Sequence, residues 1–387
     1  MLWDLFIYAD RILFIFISLT ILYMAFFAVT SLFNRHSDMP KAKRQNRFIV
    51  LIPAYGDGKN VMQTVKSILG QTYPQRMFDV TVISDHMSEM TNFQLAQQPV
   101  TLLTPNFEKS SKSKALQLAV NNLPQFKIYD VVIILNAGNV VEPEFLTQMN
   151  DAYEAAGTKA IQSHRISFNR DTTSARLSSV FEEINNSIFR RGHIAIGLSS
   201  ALSDSGMAYE FSWFKENIMK LHAKNEDKEM EALLMRQHIF IDYFDKILVF
   251  DEKARLADDF NREHSNWIVT QTRTIFRNIR YLPLALLNRH YDLADKILQW
   301  MLIPRMILMF VVILMGIITP FIYFSIALKW WALFAVILLI FAIATPNYLV
   351  DEHWDRTLFS IPIVVLSSVL NKFSFGRKLL KSVNKTH

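Results

Sequence analysis

The chain has 387 residues, of which 51% are hydrophobic, with a formal charge of +6 and no cysteine. Disulfides and thiolate metal sites are therefore excluded, and the length admits two or three ordinary domains. The positive mean hydropathy places part of the chain in lipid, so the basic balance is better explained by membrane topology than by nucleic acid.

Ile12–Phe33 runs 22 residues without a charge, enough for the roughly 20 residues a spanning helix needs. It lacks a small-residue cleavage site and is long for a signal-peptide core, so a retained anchor is expected. Arg35, Lys41, Lys43, Arg44 and Arg47 crowd its carboxyl flank, against Arg11 beside Asp4 and Asp10 on the amino flank. That bias sets region 34–304 on the cytoplasmic side of a cell inner membrane.

Phe48–Ile52 is a short apolar strand ended by Pro53, and Asn60–Leu69 has a helical spacing at Val61, Val65, Ile68 and Leu69. A second strand, Val80–Ile83, ends at Ser84-Asp85-His86. A helix is expected over Lys112–Asn122, and a buried strand from Val131 runs into Asn136-Ala137-Gly138-Asn139. Alternation of this kind predicts an α/β domain, in which the ligand crevice lies beyond the carboxyl ends of the strands. Helices are expected over Arg176–Arg191 and Glu226–Gln237, then a basic amphipathic stretch over 271–298 lying along the membrane surface. Met306–Leu328 and Trp330–Val350 supply two further spans of 23 and 21 residues. Thr357–Asn371, with 15 residues and Pro362, suits an interfacial helix, and Lys372, Arg377, Lys378, Lys381 and Lys385 return the tail to the cytoplasmic side, where they attract anionic lipid. The expected partition is 1–34, 35–270, 271–301, 302–350 and 351–387.

Several positions carry chemistry. A carboxylate at a strand end, such as Asp85, is a natural acceptor for base or ribose donors. Lys112 stands where a helix amino terminus and an ammonium would both favour phosphate. The pair Glu226-Asp227 opens a helix, where acids either cap the terminus or supply a general base.

Taken in order, Ile52-Pro53-Ala54-Tyr55-Gly56-Asp57, Asp85, Ser111–Gln117, Asn136–Asn139, Ser203–Tyr209 and Glu226-Asp227 resemble membrane-embedded family 2 glycosyltransferases. Cellulose, chitin, hyaluronan and poly-N-acetylglucosamine synthases share this plan. The resemblance implies an α/β GT-A (Rossmann-like) cytoplasmic domain with α-helical transmembrane segments. It also implies inverting transfer from a nucleotide sugar, UDP-linked, to a glycan or lipid-linked acceptor in polysaccharide or glycoconjugate synthesis.

Residue by residue, the resemblance assigns Pro53, Ala54, Tyr55, Asp57 and Asp85 to the nucleoside and Lys112 to the diphosphate. Asn136 and Asn139 fall on the donor side, Ser205 and Gly206 on the acceptor side, and Asp227, with Glu226, at the catalytic base. Two departures stand out. The family's metal-holding Asp-x-Asp is Asn136 and Gly138 here, which weakens a site for Mg²⁺ or Mn²⁺ and leaves Asn136 and Asn139 carbonyls as ligands, or Lys112, Arg165 and His164 to neutralise the diphosphate. The family's Gln-x-x-Arg-Trp is also broken. Gln271 and Arg273 hold its place on the acceptor side, with Arg273 one position too close and the Trp missing, so a lipid-facing Arg273 is the competing reading.

A catalytically silent homologue, acting as scaffold or regulatory subunit of a synthase, is the alternative function. A transporter is not supported, since the three spans offer no polar pathway. Exporting a polymer through three spans would require a homodimer or a partner subunit.

Overall fold

A computed structural model describes residues 2–33, 39–56, 60–221, 226–253 and 270–350. Asp57, the segment Thr357–Asn371 and the basic tail lie outside the described residues.

The centre is an eight-stranded mixed sheet. Its strands are β1 (Phe48–Tyr55), β2 (Phe78–Asp85), β3 (Thr101–Leu103), β4 (Val131–Ile134), β5 (Val140–Val141), β6 (Ala160–Ser167), β7 (Met207–Glu210) and β8 (Ile241–Asp251), in the order β3-β2-β1-β4-β7-β6-β8-β5. Strands β3, β2, β1 and β4 run parallel, and β7 enters antiparallel between β4 and β6. Buried on both faces, β1 and β4 read as unbroken apolar runs.

Side-chain alternation divides that run between two layers. Ile49 and Leu51 pack with α4 (Lys112–Asn122), α8 (Phe211–Ile218), α9 (Glu226–Arg236) and α12 (Tyr291–Met301). Phe48, Val50 and Ile52 pack instead with α2 (Val61–Leu69), α3 (Glu89–Ala96) and α5 (Phe145–Ala156). Register then aligns the ends: Tyr55 lies opposite Asp85, and β4 ends beside Leu51, so three strands deliver their loops to one edge.

Among the described residues, three helices are long and apolar enough to cross a membrane: α1 (Leu2–Thr30), α13 (Arg305–Ile322) and α14 (Phe324–Ala344). Ile17, Ile21 and Phe27 of α1 pack with Met309 and Val312 of α13, Ile337 and Phe341 of α14, and Val180 and Ile184 of α6 (Thr173–Asn185). The α13–α14 break differs from the sequence expectation. Lys329 reads as an interhelical charge, yet the break is at Tyr323 and Lys329 lies inside α14, paired with Asp10. Trp330 Nε1 donates to the same carboxylate at 2.9 Å. Pro320, in the last turn of α13, has no N–H for the Gly316 carbonyl, which accepts Trp331 Nε1 at 3.0 Å instead.

The helix expected over Arg176–Arg191 also differs. α6 widens into a π turn over Asn186–Arg191 before α7 (Gly192–Ala195). The Asn186 amide reaches the Arg165 carbonyl and the Glu183 carboxylate, each at 2.9 Å. The basic stretch divides into α10 (270–278), a 3₁₀ turn (Ile279–Tyr281), α11 (Leu282–Leu287) and α12. Phe276 and Leu287 are strongly exposed there.

The first apolar helix, α1, touches the α/β domain at α7. Thr30 Oγ1 donates to the Gly192 carbonyl at 3.0 Å, and a side chain at Gly192 would collide with the Phe27 carbonyl. Gly192→Ala is therefore expected to destabilise the detergent-purified protein by about 1–3 kcal/mol, the range for overpacking. An unchanged melting temperature would show that α1 docks without this close approach.

Candidate functional site

At the carboxyl edge of β1 and β2 an open aromatic ring stands beside a buried acid. Tyr55 is 68% exposed and Asp85 4%. The Gly56 N–H donates to the Asp85 carbonyl at 3.0 Å, tying the two strand ends together, with Gly56 in the left-handed region at φ 58°. His86, also left-handed at φ 56°, turns Nδ1 to within 2.6 Å of the Asp85 carboxylate and sets its ring 5.7 Å from Tyr55. Pro53 and Ala54 lie in β1, opposite Ile83 and Ser84, and so present mainly backbone. The two rings and the acid suit a flat heterocycle.

Next to this shelf, the turn after β4 is held by a polar lattice. Asn139 is 1% exposed. Its Oδ1 accepts the Asn136 N–H at 3.1 Å and the Ser205 hydroxyl, while its Nδ2 donates to Asp251 at 2.8 Å. Ser205 Oγ also accepts the Asn136 N–H, at 3.0 Å. Gly138, at φ 87°, donates its N–H to Thr64 Oγ1 at 2.9 Å. Asn139 is thus engaged on both amide ends, and Ser205, with no exposure, holds the turn in place. Gly206, at φ 72°, leaves no room for a Cβ beside Ser163.

The residue that sequence reasoning missed is Asp204. Its carboxylate accepts from Asn136 Nδ2 and, at 3.0 Å, from Lys112 Nζ, and its carbonyl also accepts from Lys112. Lys112 opens α4 behind its N-cap, Ser111. The available signal was an acid set between serines in a loop entering a strand, where it has no packing role. Among the described residues, no three His, Cys, Asp or Glu side chains come together to hold a metal ion. Asp204 faces an ammonium, and Asn136 is neutral. The described donors therefore do not fit a hard dication, which takes several oxygen ligands.

Asp227 follows Glu226 at the start of α9. Burial raises its carboxyl above the usual range; Lys228 and Lys112 pull it back, while Asp204 and Glu231 add to the rise. Lys228 is the nearest charge acting on Asp227, and Asp204 and Lys112 act on it as well, so Asp227 lies beside the cluster that joins Asp204, Lys112 and Asn136. Gln271 and Arg273 lie on the helix α10 (270–278). Gln271 Nε2 donates to the Trp300 and Leu302 carbonyls at 2.7 and 3.0 Å, tying α10 to the end of α12, and Arg273 is exposed on α10.

Arg165 and His164, by contrast, are paired with buried acids. Arg165 lies 3.0 Å from Asp251 and 3.7 Å from Glu182, and His164 lies 2.9 Å from Glu183. Lys253 bridges Asp251 and Glu182 at 3.1 and 3.2 Å, and Arg190 reaches Glu182 at 3.0 Å.

The matching family model, Glycosyltransferase like family 2, spans residues 45–270, more than half of the chain, and the chain belongs to that family. Its mixed sheet with helices on both faces is the GT-A architecture. Among solved structures, the mannosyltransferase PcManGT from Pyrobaculum calidifontis, in complex with GDP-Man and Mn²⁺, matches with a TM-score of 0.54 at 11% identity, over 95% of this chain and 99% of that one. TarS residues 1–349 from S. aureus, alone and with UDP-GlcNAc, match with TM-scores of 0.41 at 12% and 13% identity, over 88% of this chain and 92% of those. At such identities the likeness to PcManGT shows a shared fold. No curated protein matches the chain in sequence.

The buried ion network generates a stability prediction. Burial would raise the Glu182 carboxyl, but Lys253, Arg165 and Arg190 outweigh it and hold it well below the usual range. A depressed folded-state pKa adds stability above the ordinary carboxylate value, and that stability is lost as pH falls through the folded value. Lys253→Met weakens the depression and leaves buried acids under-compensated, so a loss of about 3–5 kcal/mol is expected near neutral pH. The gap from wild type should narrow on acidification. Denaturation of both proteins across pH checks this, and a pH-independent gap would show that Lys253 acts through packing alone.

Proposed function

We propose that the chain is an inverting, membrane-embedded glycosyltransferase that moves a sugar from a nucleoside diphosphate donor, UDP-linked by the family motif, to a hydroxyl of a glycan or lipid-linked acceptor. The observation that carries this reading is the convergence of a base candidate, Asp227, on the Asp204–Lys112–Asn136 cluster at the carboxyl edge of the sheet. Tyr55, Asp85 and the Pro53-Ala54 backbone take the nucleoside. Asp227 accepts the acceptor hydroxyl proton while the oxygen attacks the anomeric carbon. The bond to the diphosphate breaks on the opposite face, and the nucleoside diphosphate leaves toward Lys112. The three apolar helices keep this chemistry at a membrane, and the basic flank of the first span sets the domain on the cytoplasmic side.

Two experiments test the assignment. Asp227→Asn should reduce transfer by roughly 10² to 10⁴-fold, the usual contribution of a general base, and leave UDP binding near wild type. Because the base must be ionised, wild-type activity should fall on acidification through a value above the usual carboxylate range. Near-normal turnover in Asp227→Asn would remove this residue from the mechanism.

The second experiment concerns the cation. PcManGT is a GT-A relative solved with GDP-Man and Mn²⁺, whereas here Lys112 stands at the cluster in which the two family acids are absent. Calorimetry with UDP and GDP should show binding that survives chelator and weakens roughly 10- to 100-fold in Lys112→Ala, as loss of a charge-assisted contact implies. Binding that vanishes in chelator and survives Lys112→Ala would assign the diphosphate to a metal held by other ligands. The alternative, a silent scaffold, draws on one observation: Asp204 already occupies Lys112 and Asn136. Absence of nucleotide binding under all these conditions would favour it.

A further inference from the structure

Four residues beyond Asp227, on the same side of α9, Glu231 is fully buried, at 0% exposure. Its carboxylate joins three separate elements. Oε1 accepts the Leu202 N–H at 2.8 Å, from the loop that carries Asp204 two residues later. Oε2 accepts Trp300 Nε1 at 3.1 Å, from the end of α12, and Lys228 Nζ at 2.9 Å, from α9 itself. Lys296 of α12, also fully buried, lies 3.9 Å away and donates to the Ser199 and Ser200 carbonyls at 3.1 Å each. Packing alone would place an apolar side chain at such a point, since a buried carboxylate costs several kcal/mol unless paired and fully hydrogen-bonded. Here directional donors from the acceptor-side loop, the base helix and the membrane-proximal helix all aim at one group.

We infer that Glu231 is a positioning residue for the transfer reaction: it fixes the spacing between Asp227 and the Asp204 loop and anchors both to α12. The inference rests on Asp227 being the base. The groups facing Asp227 are Lys228 on its own helix, Asp204 on the loop and Lys112 on α4, with Glu231 behind and Lys296 facing Glu231 from α12. Glu231 and Asp204 favour protonated Asp227, whereas the two nearest lysines favour the ionised form.

Glu231→Gln keeps the shape and an acceptor for Leu202, but removes the charge and the acceptor shared by Trp300 and Lys228. The full-length protein in detergent is assayed by release of UDP from UDP-glucose and UDP-N-acetylglucosamine, with Asp227 titration followed by infrared difference against Asp227→Asn. In Glu231→Gln, kcat should fall about 10- to 100-fold, the scale of a misplaced catalytic group, with donor KM unchanged. Asp227 should titrate at lower pH, because a neighbouring negative charge is gone and Lys228 is left to it. Trp300→Phe, a milder change, should lower kcat several-fold without moving the titration.

A wild-type kcat in both variants overturns the inference, as does a loss in Glu231→Gln that follows only a lower melting temperature while Asp227 titrates as before. If Glu231→Gln does not fold, Trp300→Phe decides by its kcat. Should Asp227→Asn itself retain transfer, the base assignment fails and takes this inference with it. Inactive Asp227→Asn with an unmoved titration and unchanged kcat in the Glu231 variant sinks the inference alone.

Discussion

The hydrogen bonds around Asn139 are the constraint on which the site depends. Its amide links the turn after β4, the loop before β7 and the end of β8 through Asn136, Ser205 and Asp251. A buried amide has four bonding positions, and leaving any of them unmet costs about 1–3 kcal/mol, so the turn has little freedom to relax. With Ser205 so held, its neighbour Asp204 projects toward Asn136 and Lys112. This edge of the sheet is thus shaped by groups that are themselves buried.

The same logic extends toward the apolar helices. α12 contributes Trp300 and Lys296 to the Glu231 cluster, and its Asp295 accepts from Tyr23 of the first span at 2.8 Å. His193 of α7 lies 3.2 Å from Asp295 and stacks on Phe27 with ring centres 3.7 Å apart. A continuous series of buried polar contacts therefore runs from α1 through α12 to the helix bearing Asp227. Apolar contacts would allow helices to slide; these fix their register, because each displaced partner leaves a buried group unsatisfied.

Much of the frame was legible because it depends on local patterns. Charge-free length marked three apolar helices, and unbroken apolar runs ending at Pro53, Asp85 and Asn136 marked neighbouring strands of the sheet whose ends align. The start of α4 at Lys112 matched the expected residue, with Ser111 as its cap. What escaped was set by partners far along the chain. Asp204 meets Lys112 from 92 positions away and Asn136 from 68, and no spacing rule records such a pair. Lys329 reads as a helix break because a lone ammonium is expensive in lipid, yet Asp10, 319 positions earlier, supplies the counter-charge. Gln271 matched a motif by neighbourhood, but its amide is taken by two carbonyls at the end of α12.

On the proposed function, the Lys112–Asp204 pair lets a site with Asn136 and Gly138 in place of two acids keep its electrostatic balance. In the family pattern two carboxylates offset a divalent cation, charge for charge. Here one carboxylate offsets one ammonium, so the cluster is again neutral before a donor arrives. The difference is in what the diphosphate must displace. A metal ion gives up water to bind phosphate oxygens, and Mg²⁺ does so reluctantly. Lys112 gives up Asp204, a tethered acid with more than half of its side chain exposed, where solvent weakens the pair. A diphosphate carries more charge than one carboxylate and competes directly for the ammonium. On that proposal, Asn136 and Gly138 at the acidic positions and Asp204 beside Lys112 are consistent parts of one arrangement, in which Lys112 supplies the positive charge.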